Sequence, residues 1–121
     1  MKLIDTDIFI DFLRGSKEAL NFIKKESEIS FSAITEAELL SGNACNNPRE
    51  MEKVIHLLAQ FEKVPAGNPL VQVAGNLRRV YGLELPDAII AASAIVTNSV
   101  LITRNIKDFK DVKELKFEKP Y

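Results

Sequence analysis

From Ala88 to Val96 the chain reads AIIAASAIV, a run of helical length with almost no polar face. A helix that is apolar all round has to be covered on every side. Pro86 is placed to start it, because proline is tolerated in the first helical turn. Ser99 to Thr103 follow as Val-Leu-Ile flanked by polar residues, which predicts a buried strand. A buried helix feeding a short buried strand is the pattern of a parallel sheet covered by helices.

The rest of the chain repeats that alternation. Lys2 to Asp5 predicts a short strand ending in a carboxylate, and Ile8, Phe9, Phe12 and Leu13 follow at helical spacing. Gly15-Ser16 breaks the pattern, and Ser16 is placed to cap a second helix carrying Leu20 and Ile23. Ile29 to Ser32 is the next strand; Thr35 opens a short helix that Gly42 ends. Asn47-Pro48 is a cap followed by a first-turn proline, with Met51, Val54, Ile55, Leu58 and Phe61 on one face of its helix. Lys63-Val64-Pro65 reads as an edge strand. Asn68-Pro69 repeats the cap-and-proline device, with Leu70, Val73, Ala74, Leu77 and Val80 on the apolar stripe and Arg78 and Arg79 beside it. Lys107 to Lys110 predicts a short helix or turn, and Leu115 to Phe117 a last edge strand. The order β-α-α-β-α-α-β-α-α-β-α-β, with right-handed crossovers, predicts a three-layer α/β/α fold around a mostly parallel sheet, one domain over residues 1–121. Ligands in such sheets collect beyond the carboxyl ends of the strands.

Composition narrows the functions. A formal net charge of −1 is low for a sequence-independent nucleic-acid binder, so phosphate contacts have to come from local cations. Arg14, Lys17, Arg78, Arg79, Arg104 and Lys107 are available, and Arg104 lies among the candidate site residues. His56 is the only histidine and sits in an amphipathic helix, which excludes a multi-histidine zinc site. There is no G-x-S-x-G, no G-x-x-x-x-G-K and no G-x-G-x-x-G. The single cysteine, Cys45, allows no intramolecular disulfide and fits a reducing compartment. No apolar run approaches the roughly 18 residues that span a membrane. Met1-Lys2-Leu3-Ile4-Asp5 offers no signal-peptide core, so a soluble cytoplasmic protein is expected.

What remains is a set of acids. Asp5 and Asp7 fall where the first strand ends; Asp7 can cap the first helix, and Asp5 occupies the carboxyl edge of a central strand. Glu38 follows Thr35 at capping-box spacing, so it is either a cap partner or a site acid, while Glu36 in the first turn faces solvent. Asp87 lies in the first turn of the most apolar helix, where a carboxylate is costly unless paired or metal-bound. Thr103, Asn105 and Asp108 follow the last long strand, where turn and capping roles compete with ligation. Acids gathered at one sheet edge repel one another unless a cation intervenes. Hard divalent ions, Mg²⁺ or Mn²⁺, suit oxygen ligands and support phosphodiester hydrolysis by an activated water.

Four blocks then carry a family resemblance. They are Leu3-Ile4-Asp5-Thr6-Asp7-Ile8-Phe9-Ile10-Asp11, Ser32 to Gly42 (SAITEAELLSG), Leu85 to Ala92 (LPDAIIAA) and Leu101 to Phe109 (LITRNIKDF). In this order they resemble PIN-domain proteins of the VapC toxin type. The resemblance implies a Mg²⁺- or Mn²⁺-dependent endoribonuclease, the toxin of a toxin–antitoxin pair, held in check by a small antitoxin and working as a homodimer. Asp5, Glu38 and Asp87 match the family's acidic positions, which favours Glu38 over Glu36. The fourth position, often Asp, is Asn105 here, with Asp108 one turn away as a substitute, so a second metal would be held more weakly. Two other readings stand beside it. Asp5-Thr6-Asp7 also resembles the D-x-D of haloacid-dehalogenase phosphatases, and a catalytically silent PIN-like domain would bind RNA or a protein without cleavage.

Overall fold

A computed structural model describes residues 1–121. Five strands, β1 (Lys2–Ile4), β2 (Ile29–Ser32), β3 (Glu62–Val64), β4 (Val100–Ile102) and β5 (Phe117–Glu118), form one sheet in the order β3-β2-β1-β4-β5. Every pairing is parallel. Seven helices connect them: α1 (Thr6–Leu13), α2 (Lys17–Lys25), α3 (Ala33–Leu40), α4 (Pro48–Leu58), α5 (Leu70–Tyr81), α6 (Leu85–Val96) and α7 (Ile106–Phe109). The element order is the one the apolar pattern predicts.

The pleat divides the core. Leu3 and Leu101 face a cluster containing Ala74 and Leu77 of α5 and Ile90 and Ala91 of α6. Ile4, Ile102 and Phe31 face the other way, onto Ile8 and Phe9 of α1, Ile23 of α2 and Val54 and Leu57 of α4. Phe9 meets Phe31 edge-on, ring centroids 6.0 Å apart. Each large side chain buried in this way stabilises the fold by about 1.5–3 kcal/mol. In α6, Ala88, Ala91, Ala92 and Ala94 are fully buried, as its composition demands. The one polar residue among them, Ser93, donates to the Ile89 carbonyl at 2.7 Å and reaches Ser32 Oγ at 2.9 Å, so its burial is satisfied.

Several local expectations change. Ser16 and Asn47 cap α2 and α4 as predicted, accepting from the Ala19 and Arg49 amides. Asn68 does not repeat the device: Pro69 occupies the cap position of α5, after a cis peptide, with no side-chain cap. In α4 the buried face is Val54, Leu57 and Leu58, while Met51 and Ile55 stay exposed, as does Val80 in α5. Leu57 thus takes the inward position in α4 that the spacing assigns to Ile55. His56 lies on the exposed side of α4. Cys45 is buried in a 3-10 turn, Asn43–Asn46, with Sγ 3.4 Å from the Leu39 carbonyl.

Candidate active site

The chain runs outward from β1 through β2 to β3, then returns to the other side of β1 for β4 and β5. The sheet therefore switches direction at the β1–β4 pair, and the crevice beyond the carboxyl ends opens there. Register carries Ile4 opposite Ile102, and the Asp5 amide continues the ladder to the Ile102 carbonyl at 2.9 Å. The next side chains, Asp5 and Thr103, consequently meet. Thr103 Oγ1 donates to Asp5 Oδ2 at 2.7 Å, while the Thr6 amide donates to Asp5 Oδ1 at 2.7 Å.

Asp5, not Asp7, is thus the cap of α1. Its cap role and its site role are compatible, because each oxygen keeps a lone pair free. Asp7 stands in the first turn of α1, with Oδ1 buried and without a partner. Thr103 accepts in turn from the Asn105 amide at 2.9 Å, which fixes the segment after β4.

Glu38 arrives from the opposite side. β2 passes into α3 without a loop, because Ser32 itself is the cap, its Oγ accepting from the Ile34 amide. Thr35 is therefore inside the helix, and the predicted Thr35–Glu38 capping box does not form. Thr35 is fully buried and its Oγ1 lies 2.9 Å from Thr6 Oγ1. Thr6 Oγ1 donates to Glu38 Oε1 at 2.7 Å, tying the acid of α3 to the first residue of α1. Glu36 points elsewhere, 3.5 Å from Lys63. Nothing in the spacing reveals the Thr6–Thr35–Glu38 chain of hydroxyls; it exists only once α1 and α3 pack together.

Asp87 sits in the first turn of α6, at the mouth of an open groove of about 500 Å³ that also holds Glu84, Lys107, Asp108 and Asp111. Burial, and then the charges of Asp5, Asp108 and Glu38, push its carboxyl up to about 6. Burial, then Asp7, and also Glu38, push Asp5 up to about 6 against the hydrogen bonds from Thr103 and Thr6. The mutual repulsion places Asp5, Glu38, Asp87 and Asp108 in one electrostatic neighbourhood. Asn105 Nδ2 donates to Asp108 Oδ2 at 2.7 Å, so these two side chains form one unit at the rim.

The cations are distributed differently. Arg104 binds Asp11, with Nε 2.8 Å from Oδ2, and approaches Asp7 at 3.9 Å. Arg78 closes the α5–α6 turn on the Leu83 carbonyl and Arg79 pairs with Asn76. Arg14 lines an apolar groove of about 410 Å³ between α1, α3 and α4, with Glu38 at its edge.

No three acidic, histidine or cysteine side chains close into a ready metal cage. The donor set is nevertheless all oxygen. It fits Mg²⁺-like ions, which are held by one or two carboxylates together with waters and substrate phosphates rather than by a complete protein cage. The uncompensated charge at Asp5 and Asp87 supplies the attraction.

Comparison with known proteins agrees with this arrangement. Residues 2–115 match the PIN domain family. The ribonuclease VapC10 of Mycobacterium tuberculosis is 34% identical over 104 residues, covering 79% of this chain and 76% of that protein. A toxin–antitoxin complex from Klebsiella pneumoniae superposes with a TM-score of 0.87 at 30% identity, covering 100% of this chain and 98% of its counterpart. VapBC2 from Rickettsia felis, bound to a DNA fragment from its promoter, superposes with a TM-score of 0.86 at 25% identity, covering 98% and 97%. Together with the all-parallel five-stranded sheet and the acids at its switch point, they establish that the chain belongs to the PIN-domain family, of the VapC type.

Proposed function

We propose that this chain is a divalent-metal-dependent endoribonuclease, the toxin of a toxin–antitoxin pair, with Asp5, Glu38 and Asp87 as its catalytic acids and residues 1–121 acting as one domain. What supports the reading is that Asp5 and Asp87 are both raised by burial and by the charges of neighbouring acids, Glu38 among them, at the sheet's switch point, while Arg104 is taken up by other carboxylates. Asp5 and Asp87 would hold the ion, with Glu38 beside them. Mg²⁺ or Mn²⁺, when bound, supplies a water of lowered pKa and neutralises charge developing on the scissile phosphate. Asn105 and Asp108 would serve a second ion, held more weakly because Asn brings no charge. Thr103 and Thr6 keep the acids in place by donating to them. The haloacid-dehalogenase reading loses its second acid, because Asp7 is turned onto Arg104 instead of the crevice.

The small antitoxin would dock in the apolar groove of Ile10, Leu13, Leu39 and Val54, which places it against Glu38. A homodimer is part of the same reading, tested by light scattering. No helix is long and apolar enough to cross a membrane, and we place the protein in the cytoplasm with its RNA substrate. The decisive experiment incubates the purified protein with single-stranded RNA and Mg²⁺, Mn²⁺ or EDTA, beside Asp5→Asn and Asp87→Asn. Cleavage with either metal, lost in EDTA and in both variants, supports the reading. RNA binding without cleavage, or a trapped aspartyl-phosphate on Asp5, overturns it.

A further inference from the structure

Beside the acid cluster lies a second charged group that the proposed chemistry does not use. Arg104 lies directly after Thr103, the residue that donates to Asp5. Its guanidinium meets Asp11 side-on, Nε 2.8 Å from Oδ2 and Nη2 3.2 Å from Oδ1. Asp7 Oδ2 lies 3.9 Å from Nε. The phenol of Tyr121 donates to Asp11 Oδ2, the oxygen that also receives Nε. Three separate segments thus converge: α1, the turn after β4 and the stretch after β5.

The chemistry of this contact is asymmetric. A guanidinium has five N–H donors in a planar fork. Its Nε/Nη2 edge is occupied by Asp11, and the Nη1 edge has no acceptor in the protein, while the side chain remains 46% exposed. That free edge suits a phosphate, which arginine binds bidentately. Arg104 cannot swing away without leaving the side chains of Asp7 and Asp11, only 25% and 20% exposed, without their cation. Burial, and then the hydrogen bond to Asp11, push the Tyr121 phenol above its ordinary range, so it stays a donor under all physiological conditions.

We propose that Asp11 and Tyr121 clamp Arg104 so that the free edge of its guanidinium meets an RNA phosphate next to the scissile one, which makes Asp11 and Tyr121 positioning residues for substrate. The proposal rests on the ribonuclease reading for its substrate, but its test reads binding separately from cleavage. Tyrosine matters here through one hydroxyl, which donates to the same Asp11 oxygen that receives Arg104 Nε.

The experiment measures binding of a fluorescent single-stranded RNA oligonucleotide by anisotropy in the Asp5→Asn background, as a function of salt. Arg104→Gln should lower the slope of log K against log salt by about 0.7, the value for one phosphate contact on a single strand. Tyr121→Phe should weaken binding about threefold to tenfold, the scale of one typical net hydrogen bond. That loss should vanish when Arg104→Gln is already present, because the two groups act as one unit. In otherwise wild-type protein Tyr121→Phe should raise KM by the same factor and change kcat less than twofold. Arg104→Lys, which keeps the charge but not the fork, should not restore binding. An unchanged salt slope in Arg104→Gln, or a Tyr121→Phe loss of equal size with and without Arg104, overturns the clamp. Cleavage with KM indifferent to Arg104 sinks the clamp and leaves the nuclease; Arg104-dependent binding without cleavage does the reverse.

Discussion

Two groups of acids stand side by side around the start of α1. Asp7 and Asp11 share Arg104, and Tyr121 donates to Asp11. Asp5, with Glu38 and Asp87, receives only neutral donors, the Thr6 amide and the hydroxyls of Thr6 and Thr103. All are carboxylates, and Asp5 and Asp7 are only two residues apart. The first group holds a cation of the protein's own, which offsets one of its two carboxylates; the second has no cation within the protein and so attracts one from solution. Fold stability and ligand affinity pull in opposite directions at such a site, and the difference between the two groups measures how much stability is surrendered.

The contrast is broken most directly by removing one charge from each group. Asp5→Asn and Asp87→Asn should lower kcat for RNA by about 10²-fold or more, the scale of losing one group that acts in the transition state. Asp11→Asn should lower kcat/KM by about tenfold, mainly through KM, as expected for a lost contact to a charged group. Equal losses in Asp5→Asn and Asp11→Asn, in steady-state assays with unfolding checked by circular dichroism, would erase the distinction.

Stability against pH separates the groups next. Asp5 is raised from 3.8 to about 6 in the folded protein, so the native state holds that proton more tightly than the unfolded chain. Its contribution to stability is fully present below about pH 4 and is lost as pH rises through about 6. At pH 7.5, Asp5→Asn should therefore be more stable than wild type by about 2–3 kcal/mol, and the gap should close near pH 4. Urea unfolding of both proteins at the two pH values checks this, and a gap that widens in acid refutes it. Saturating Mg²⁺ or Mn²⁺ should narrow the gap at pH 7.5, because the ion replaces the proton as counter-charge.

Metal affinity should follow the same protons. Below about pH 6, Mn²⁺ binding measured by calorimetry should weaken about tenfold per pH unit for each proton displaced. Affinity independent of pH between 5 and 7 would place the ion elsewhere. The smallest change concerns the fourth corner. Asn105→Asp replaces a neutral donor to Asp108 with a charge and should tighten the weaker Mn²⁺ site about threefold to tenfold, the order of one charge interacting at short range in a partly solvated site. Titration with and without a substrate analogue reads it, and equal, tight occupancy of two sites in the unaltered protein removes the reason to expect it.

The positions of Asp5 and Asp87 were legible in the sequence because each lies at a junction that local chemistry marks, the end of an apolar strand and the first turn of an all-apolar helix. Glu38 was ambiguous, because Thr-x-x-Glu spacing describes a capping box equally well. The ambiguity dissolves in the fold, where Ser32 takes the cap and Thr35 turns inward to Thr6. The cap role expected of Asp7 falls to Asp5, beside its site role, for a related reason. A cap is identified by where the strand actually stops, and β1 stops at Ile4, one residue earlier than the pattern suggests.

Period and punctuation alone determined the element order, the parallel sheet and the edge at which the acids gather. Those features depend on contacts along a few residues and on the handedness of crossovers, both of which are written locally. The partners of each acid were decided only by tertiary structure. Thr103 reaches Asp5 because β1 and β4 pair in one register, Glu38 reaches Thr6 because α1 and α3 pack, and Arg104 meets Asp11 and Tyr121 across three segments. Whether an acid is neutralised by its own protein or left for a metal depends on charges far apart in the chain, and only the folded packing brings them within a few ångströms.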